Sequence, residues 1–88
     1  MNKRWITDGK KYELLFRRYG EEVCVLSFVQ DIADPTYFWF TSDELSVEYD
    51  CETADNIDEA KEIFEEKYEE YLEDQIAYYE SLLDAWKE

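Results

Sequence analysis

Apolar side chains recur every three or four positions in residues 56–87, NIDEAKEIFEEKYEEYLEDQIAYYESLLDAWK. This spacing places them on one face of an amphipathic helix. Asn56 is a suitable N-cap, Glu59 follows it three positions later, and no glycine or proline comes after them to interrupt the helix. We therefore predict a helical region over residues 56–87.

The predicted helix is longer than the sheet that a chain of this size can form. At about 1.5 Å per residue, about 31 residues extend roughly 46 Å, whereas strands of about 5–6 residues span about 17–20 Å. One solution is a break near residues 73–75, after which the chain folds back. The other is a straight helix whose second half packs against another chain through Ile76, Tyr79, Leu83 and Trp86. We expect a break, or at least a bend.

The first half of the chain shows the two-residue periodicity of an antiparallel sheet. Asp8-Gly9 predicts a hairpin with a type I′ turn, and residues 19–21 predict a second turn. Strands are expected near residues 3–7, 10–18, 23–30, 37–42 and 46–50. In the fourth strand, Phe38 and Phe40 should face one side of the sheet. In the fifth, Val47 and Tyr49 should share a face.

The predicted fold class is therefore α+β. An antiparallel β meander of four or five strands occupies residues 1–50, and a long acidic C-terminal helix follows it. Only one domain, residues 1–88, is expected at this length.

Charge is separated along the sequence. The net charge is −15, yet 45% of the residues are hydrophobic and 18% aromatic, which excludes a disordered acidic tail. Residues 1–18 hold six basic and two acidic side chains, a local charge of +4, and the remaining residues hold 22 acidic side chains and three lysines, a charge of −19. We expect the basic N-terminal hairpin to pack near its own acidic helix or near an acidic patch on a partner.

Several classes of function are disfavoured. The sequence has no histidine, no Gly-x-Ser-x-Gly motif, no phosphate-binding glycine loop and no calcium-loop motif, so we expect no enzyme activity, no cofactor and no metal site. Direct binding to nucleic acid is disfavoured because a net charge of −15 repels a polyanion. Cys24, in the apolar run VCVLSFV, is expected to be a reduced and buried thiol, and a disulfide with Cys51 stays open.

No secretion signal or membrane span is recognisable. No apolar stretch has the length of a signal-peptide core at the N-terminus, and nowhere do about 18 apolar residues run together. We expect a cytoplasmic protein with no membrane partner, located in the cytoplasm of the host cell if a phage encodes it.

The acidic face of the predicted helix is the candidate site. Twelve acidic residues lie between Asp58 and Glu88, about one per 4 Å of helix, close to the phosphate spacing of about 3.4 Å along one DNA strand. Between Glu62 and Asp74, five like-charge pairs at i,i+4 destabilise the helix by roughly 1–2.5 kcal/mol together. This face is either a solvated surface or a mimic of nucleic-acid charge. The candidate partner-binding residues are Glu62, Glu65, Glu66, Glu69, Glu70, Glu73 and Asp74.

The whole layout resembles a known class of small proteins. An aromatic-rich meander, the helix start at residues 53–61, TADNIDEAK, and the acidic helical end are similar to those of small proteins of phages and mobile elements. Among these are DNA-mimic inhibitors of host defence, including several anti-CRISPR proteins. The resemblance implies a non-catalytic inhibitor that covers the DNA-binding or PAM-reading basic surface of a nuclease. It assigns no role to any individual residue.

Two hypotheses of function follow. In the first, the protein mimics nucleic-acid charge and binds a basic nucleic-acid-binding protein, such as a CRISPR effector nuclease. In the second, it is a small homo-oligomerising or adaptor protein, for example a homodimer, that uses the apolar stripe of the helix at Ile76, Leu83 and Trp86.

Overall fold

The computed structural model describes residues 2–88 and contains five strands followed by one helix. The strands are β1 (Lys3–Thr7), β2 (Lys11–Arg18), β3 (Glu21–Gln30), β4 (Tyr37–Ser42) and β5 (Val47–Thr53). They form a single antiparallel sheet in sequence order, β1-β2-β3-β4-β5. The helix α1 spans Ile57–Lys87. The α+β meander predicted from the sequence is confirmed, with β3 starting two residues earlier and β5 ending three residues later than expected.

The first hairpin turn differs from the prediction in its type, whereas the second turn, predicted without a type, is confirmed. At the first, Gly9 has φ +98° but Asp8 does not have a positive φ, so the turn is not type I′. Instead, the Asp8 carboxylate accepts hydrogen bonds from the backbone amides of Lys10 and Lys11, both at 2.9 Å. Positive φ at two consecutive positions, 52° and 75°, occurs at Tyr19 and Gly20, which join β2 to β3.

The helix packs across one face of the sheet, and aromatic rings form most of the contact. Phe64 is fully buried, with its ring centroid 4.9 Å from that of Phe28 and 4.8 Å from that of Phe40. As predicted, Phe38 and Phe40 face the core together. The other face of the sheet has no helix over it, so the molecule has two layers and one small core.

Two β-bulges change which side chains face this core. Between Leu14 and Leu15 the register shifts from Leu26 to Cys24, so Val25 is an extra residue in β3. Val25 and Leu26 are therefore both buried, and Cys24 is on the open face. The prediction of a buried Cys24 is wrong for this reason: Cys24 and Cys51 are both free and exposed.

The second bulge lies between β4 and β5. It shifts the register between Phe40 and Ser42, so Val47 packs against the core while Tyr49 is exposed. The expectation that these two side chains share a face is therefore wrong. Tyr49 instead lies beside Trp39 on the open face, with ring centroids 6.4 Å apart.

The helix is single and continuous through the region where a break was expected. Asn56 caps it, because its side-chain oxygen accepts a hydrogen bond from the backbone amide of Glu59 at 2.8 Å. The predicted break at residues 73–75 is wrong. A helix that stops and reverses needs a residue that readily adopts positive φ, usually glycine, and this segment supplies Glu73, Asp74 and Gln75. The molecule consequently measures 55 × 27 × 20 Å.

Candidate functional site

The straight helix brings most of the predicted acidic residues onto one surface. Ala60, Phe64 and Tyr68 mark the side of α1 that is buried against the sheet. At 100° per residue, most of the candidate carboxylates project from the opposite side, and Glu65 and Asp74 lie on the two flanks. Six are exposed and form no ion pair with another residue of the described part of the chain. We call this set the acidic face: Glu62, Glu66, Glu69, Glu70, Glu73 and Asp74.

Glu65 has a different environment from the other six. Its side chain is 27% exposed, and its carboxylate lies 2.5 Å from the ammonium of Lys3 and accepts a hydrogen bond from the indole N–H of Trp5 at 3.1 Å. Burial raises the pKa of Glu65, but the contacts with Lys3 and Trp5 outweigh it, so the pKa lies below its usual value. Glu65 therefore ties β1 to α1 and is occupied within its own chain. The basic hairpin does pack near the helix at this point.

The two lysines in the first half of α1 turn toward the sheet. The ammonium of Lys67 lies 2.7 Å from the carboxylate of Glu52 on β5. The ammonium of Lys61 lies over the rings of Tyr12 and Trp5, at 5.5 and 6.0 Å from their centroids. Because both cations are engaged on the sheet side, the acidic face has a single sign of charge along its length.

The spacing of the acidic face is close to that of a nucleic-acid backbone. From Glu62 to Asp74 the helix rises roughly 18 Å, so six carboxylates occur about every 3.6 Å along the axis, compared with about 3.4 Å for phosphates on one DNA strand. A helix also holds the Cα and Cβ atoms of these residues in fixed positions. Binding to a partner therefore costs little backbone conformational entropy. The main entropic cost is the lost freedom of the acidic side chains.

One charged cluster at the edge of the core was not anticipated from the sequence. Arg18 donates two hydrogen bonds to the Glu44 carboxylate, at 2.6 and 3.1 Å, and a third to the Tyr68 hydroxyl at 3.0 Å. That hydroxyl in turn donates to Glu44 at 2.7 Å. The cluster joins β2, the β4–β5 turn and α1. Its members are 24 to 50 positions apart in sequence, and no local pattern indicates that they meet.

The Glu44 cluster gives stability a defined dependence on pH. Burial raises the pKa of Glu44, but hydrogen bonds from Arg18 and Tyr68 outweigh it, so the folded pKa lies below its usual value of 4.5. The unfolded chain then binds the proton more readily, so this stabilisation is complete above pH 4.5 and is lost as the pH falls through the folded pKa. We expect Glu44→Gln to lower the free energy of unfolding at pH 7 by about 1–3 kcal/mol.

Urea denaturation at several pH values tests this expectation. The difference between wild type and Glu44→Gln should shrink at acid pH, where Glu44 is protonated in both states. The control is Glu48→Gln, at an exposed position of β5, which should change stability by less than about 0.5 kcal/mol. A difference between wild type and Glu44→Gln that is independent of pH would contradict the role assigned to the charge.

The second half of α1 extends beyond the sheet and leaves an apolar surface uncovered. Six large side chains after Leu72 are exposed, Trp86 most of all at 86%. We call this set the overhang stripe: Ile76, Tyr78, Tyr79, Leu82, Leu83 and Trp86. It continues the face that carries Phe64 and Tyr68. The sequence identified this stripe, but only the structure shows that the sheet ends before reaching it.

Comparison with known protein families, curated proteins and solved structures finds no match to this chain. Within residues 2–88, no group of three or more Cys, Asp or Glu side chains is arranged to hold a metal ion. No helix in the same range is long and apolar enough to cross a membrane. The acidic face and the overhang stripe are therefore interpreted from their own chemistry.

Proposed function

We propose that this protein is a non-catalytic inhibitor that mimics the charge of nucleic acid. In this proposal the acidic face binds the basic DNA-binding or PAM-reading surface of a host defence nuclease, as in an anti-CRISPR protein. The observation that carries it is the row of six exposed carboxylates on one straight helix, none paired with a cation among the described residues. The site of action is the cytoplasm of the cell that contains the nuclease.

The chain concentrates like charges on the outer side of α1. Like charges at i,i+4 cost roughly 0.2–0.5 kcal/mol per pair, and the chain keeps them on the outer side while its helix lysines turn inward. A surface of lysine and arginine that binds phosphates would meet such a row with complementary potential. Arginine adds directional strength, because its guanidinium can donate two parallel hydrogen bonds to one carboxylate.

A pull-down from bacterial lysate tests the proposal. With the chain immobilised through its N-terminus, we expect a basic nucleic-acid enzyme to be retained at low salt, released as salt rises, and displaced by added duplex DNA. The three effects share one cause, since salt and DNA both compete for the same cationic surface. Retention that resists about 1 M salt, or that DNA does not displace, would count against charge mimicry.

A second candidate function is association through the overhang stripe. The specific observation is that large apolar side chains stay exposed along the end of the helix, with Ile76 at 59% and Tyr79 at 63%. Contiguous apolar surface on a small protein commonly marks an interaction site. This function concerns the stripe side of α1, whereas charge mimicry concerns the acidic face, so each can be tested by variants that leave the other surface unchanged.

A further inference from the structure

The end of the core remains open where α1 leaves the sheet. A cavity of about 200 Å³ lies there, with an apolar part formed by Leu14, Phe16 and Val25 of the sheet and by Tyr68 and Leu72 of the helix. Three charged residues also line it: Lys3, Glu65 and Glu69. The overhang stripe begins at the same point, because Leu72 also borders the groove formed by Ile76, Tyr79 and Leu83. Cavity and stripe therefore form one continuous apolar surface.

We propose that the overhang stripes of two copies of this chain pack antiparallel, with Trp86 of each copy in the end cavity of the other. This inference rests on the second of the two proposed functions and is independent of charge mimicry. The partner is a second copy of the chain, and the C-terminal end of each helix lies at the end cavity of the other copy.

The direction of pairing follows from the side on which the stripe lies. The stripe continues the face of α1 that contacts the sheet. A partner helix must therefore lie on the same side of α1 as the sheet, past the point where the sheet ends. Two parallel helices joined through their stripes would bring both sheets to the same end and the same side, where they would overlap. An antiparallel pair places each sheet beyond the other helix's C-terminus, which leaves room for both.

The register follows from the length of the stripe. If the two-fold axis passes between Tyr79 and Glu80, Trp86 of the second copy comes level with Glu73, beside the Leu72 end of the cavity. A tryptophan side chain buries about 150–250 Å² and has one N–H donor at its edge. The apolar wall of the cavity suits the indole ring, and the carboxylate of Glu69 at the edge is an acceptor for that N–H.

The available area fits a stable dimer. The six side chains of the overhang stripe are between 47% and 86% exposed, so pairing can bury on the order of 600 Å² per copy, which is the lower end of the standard interface size. Charge limits the pairing, because each copy carries −15. Lys87, the single basic residue of the overhang, comes level with residue 72 of the second copy, near Glu69 and Glu73. Apart from Glu69, which borders the cavity, most carboxylates of both acidic faces point away from the interface.

The test is the mass of the purified chain in solution at about 1–100 μM. We expect it to rise with concentration toward twice the chain mass of 10.7 kDa. Leu83→Asp should weaken dimerisation by at least about 10²-fold, because it places a charge in the centre of the interface. The matched control, Asp84→Ala on the opposite side of the helix, should still form the dimer. Circular dichroism should show the same helix content in both variants.

Salt separates this association from charge mimicry. Added salt screens the repulsion between two negative chains, so dimerisation should strengthen, whereas binding to a basic target should weaken. The dimer measurement needs no target, so failure of one proposal leaves the other intact. A chain that stays monomeric at about 100 μM in about 0.5 M salt would overturn the inference. So would a dimer that Leu83→Asp does not affect.

Orientation is tested with a spin label at Lys87→Cys, in a chain whose native thiols are removed by Cys24→Ser and Cys51→Ser. These two cysteines are exposed and would otherwise take the label. An antiparallel pair centred between residues 79 and 80 should separate the two labels by about 25 Å, whereas a parallel pair would hold them about 10 Å apart. The shorter distance would overturn the antiparallel arrangement.

Discussion

Phe64→Ala is expected to destabilise the fold by about 3–5 kcal/mol. The phenylalanine side chain is fully buried, and its ring lies 4.9 Å from Phe28 and 4.8 Å from Phe40, centroid to centroid. Alanine would leave a cavity between the helix and the middle of the sheet, which a core of one layer against one helix has little means to fill. Domains are typically stable by about 5–15 kcal/mol, so this loss is large.

Equilibrium urea denaturation followed by circular dichroism measures the effect. The control is Tyr79→Ala, an aromatic truncation on the same helix at a side chain that is 63% exposed, measured at a concentration where the chain is monomeric. It should change the free energy of unfolding by less than about 0.5 kcal/mol. A loss of less than about 1 kcal/mol for Phe64→Ala would show that α1 is anchored to the sheet by other contacts.

Reversing three charges of the acidic face should have the largest effect on partner binding. In the combined variant Glu66→Lys, Glu69→Lys and Glu70→Lys, three attractive contacts become repulsive ones. Loss of three exposed contacts at about 0.5–1 kcal/mol each, with repulsion of about the same size in their place, should lower the affinity for a basic target by about 10²–10⁴-fold. The affinity should be measured by calorimetry at low salt, with the target recovered in the pull-down.

The same variant should be more stable than the wild type. Four of the five like-charge i,i+4 pairs become opposite-charge pairs, a change of about 1.5–4 kcal/mol in favour of the helix. Unfolding of the variant therefore cannot be the cause of a loss of binding. The matched control reverses three exposed acidic residues away from α1, Glu21→Lys, Glu48→Lys and Asp50→Lys, with the same change in net charge. Equal loss of binding in both variants would show that net charge, and not the acidic face, determines affinity.

The sequence specified much of the architecture because the relevant signals are local. The helix start at Asn56 depends on residues within one turn, and the structure places the predicted cap at that position. Strand and hairpin positions follow from alternation and from turn residues close together in the chain. The composition of the acidic face was also evident, since helical periodicity alone brings Glu62, Glu66, Glu69 and Glu73 to one side.

Bulges and charge pairing required the tertiary structure. Cys24 was predicted to be buried because it lies in an apolar run, but the bulge at Val25 leaves it on the open face, and bulges arise from the pairing of two strands. Likewise, no local pattern shows that Glu65 meets Lys3, 62 positions earlier, or that Lys67 meets Glu52. These contacts decide which carboxylates are available to a partner.

Local signals are sufficient to predict an α+β meander with a long amphipathic helix, because propensity, capping and periodicity act over a few neighbouring residues. The unbroken course of the helix past the sheet is a property of the tertiary structure. The sheet's extent depends on how five strands pair, and where it ends fixes which part of one apolar stripe becomes core and which stays exposed. Phe64 and Trp86 belong to the same stripe, yet one is fully buried and the other is 86% exposed.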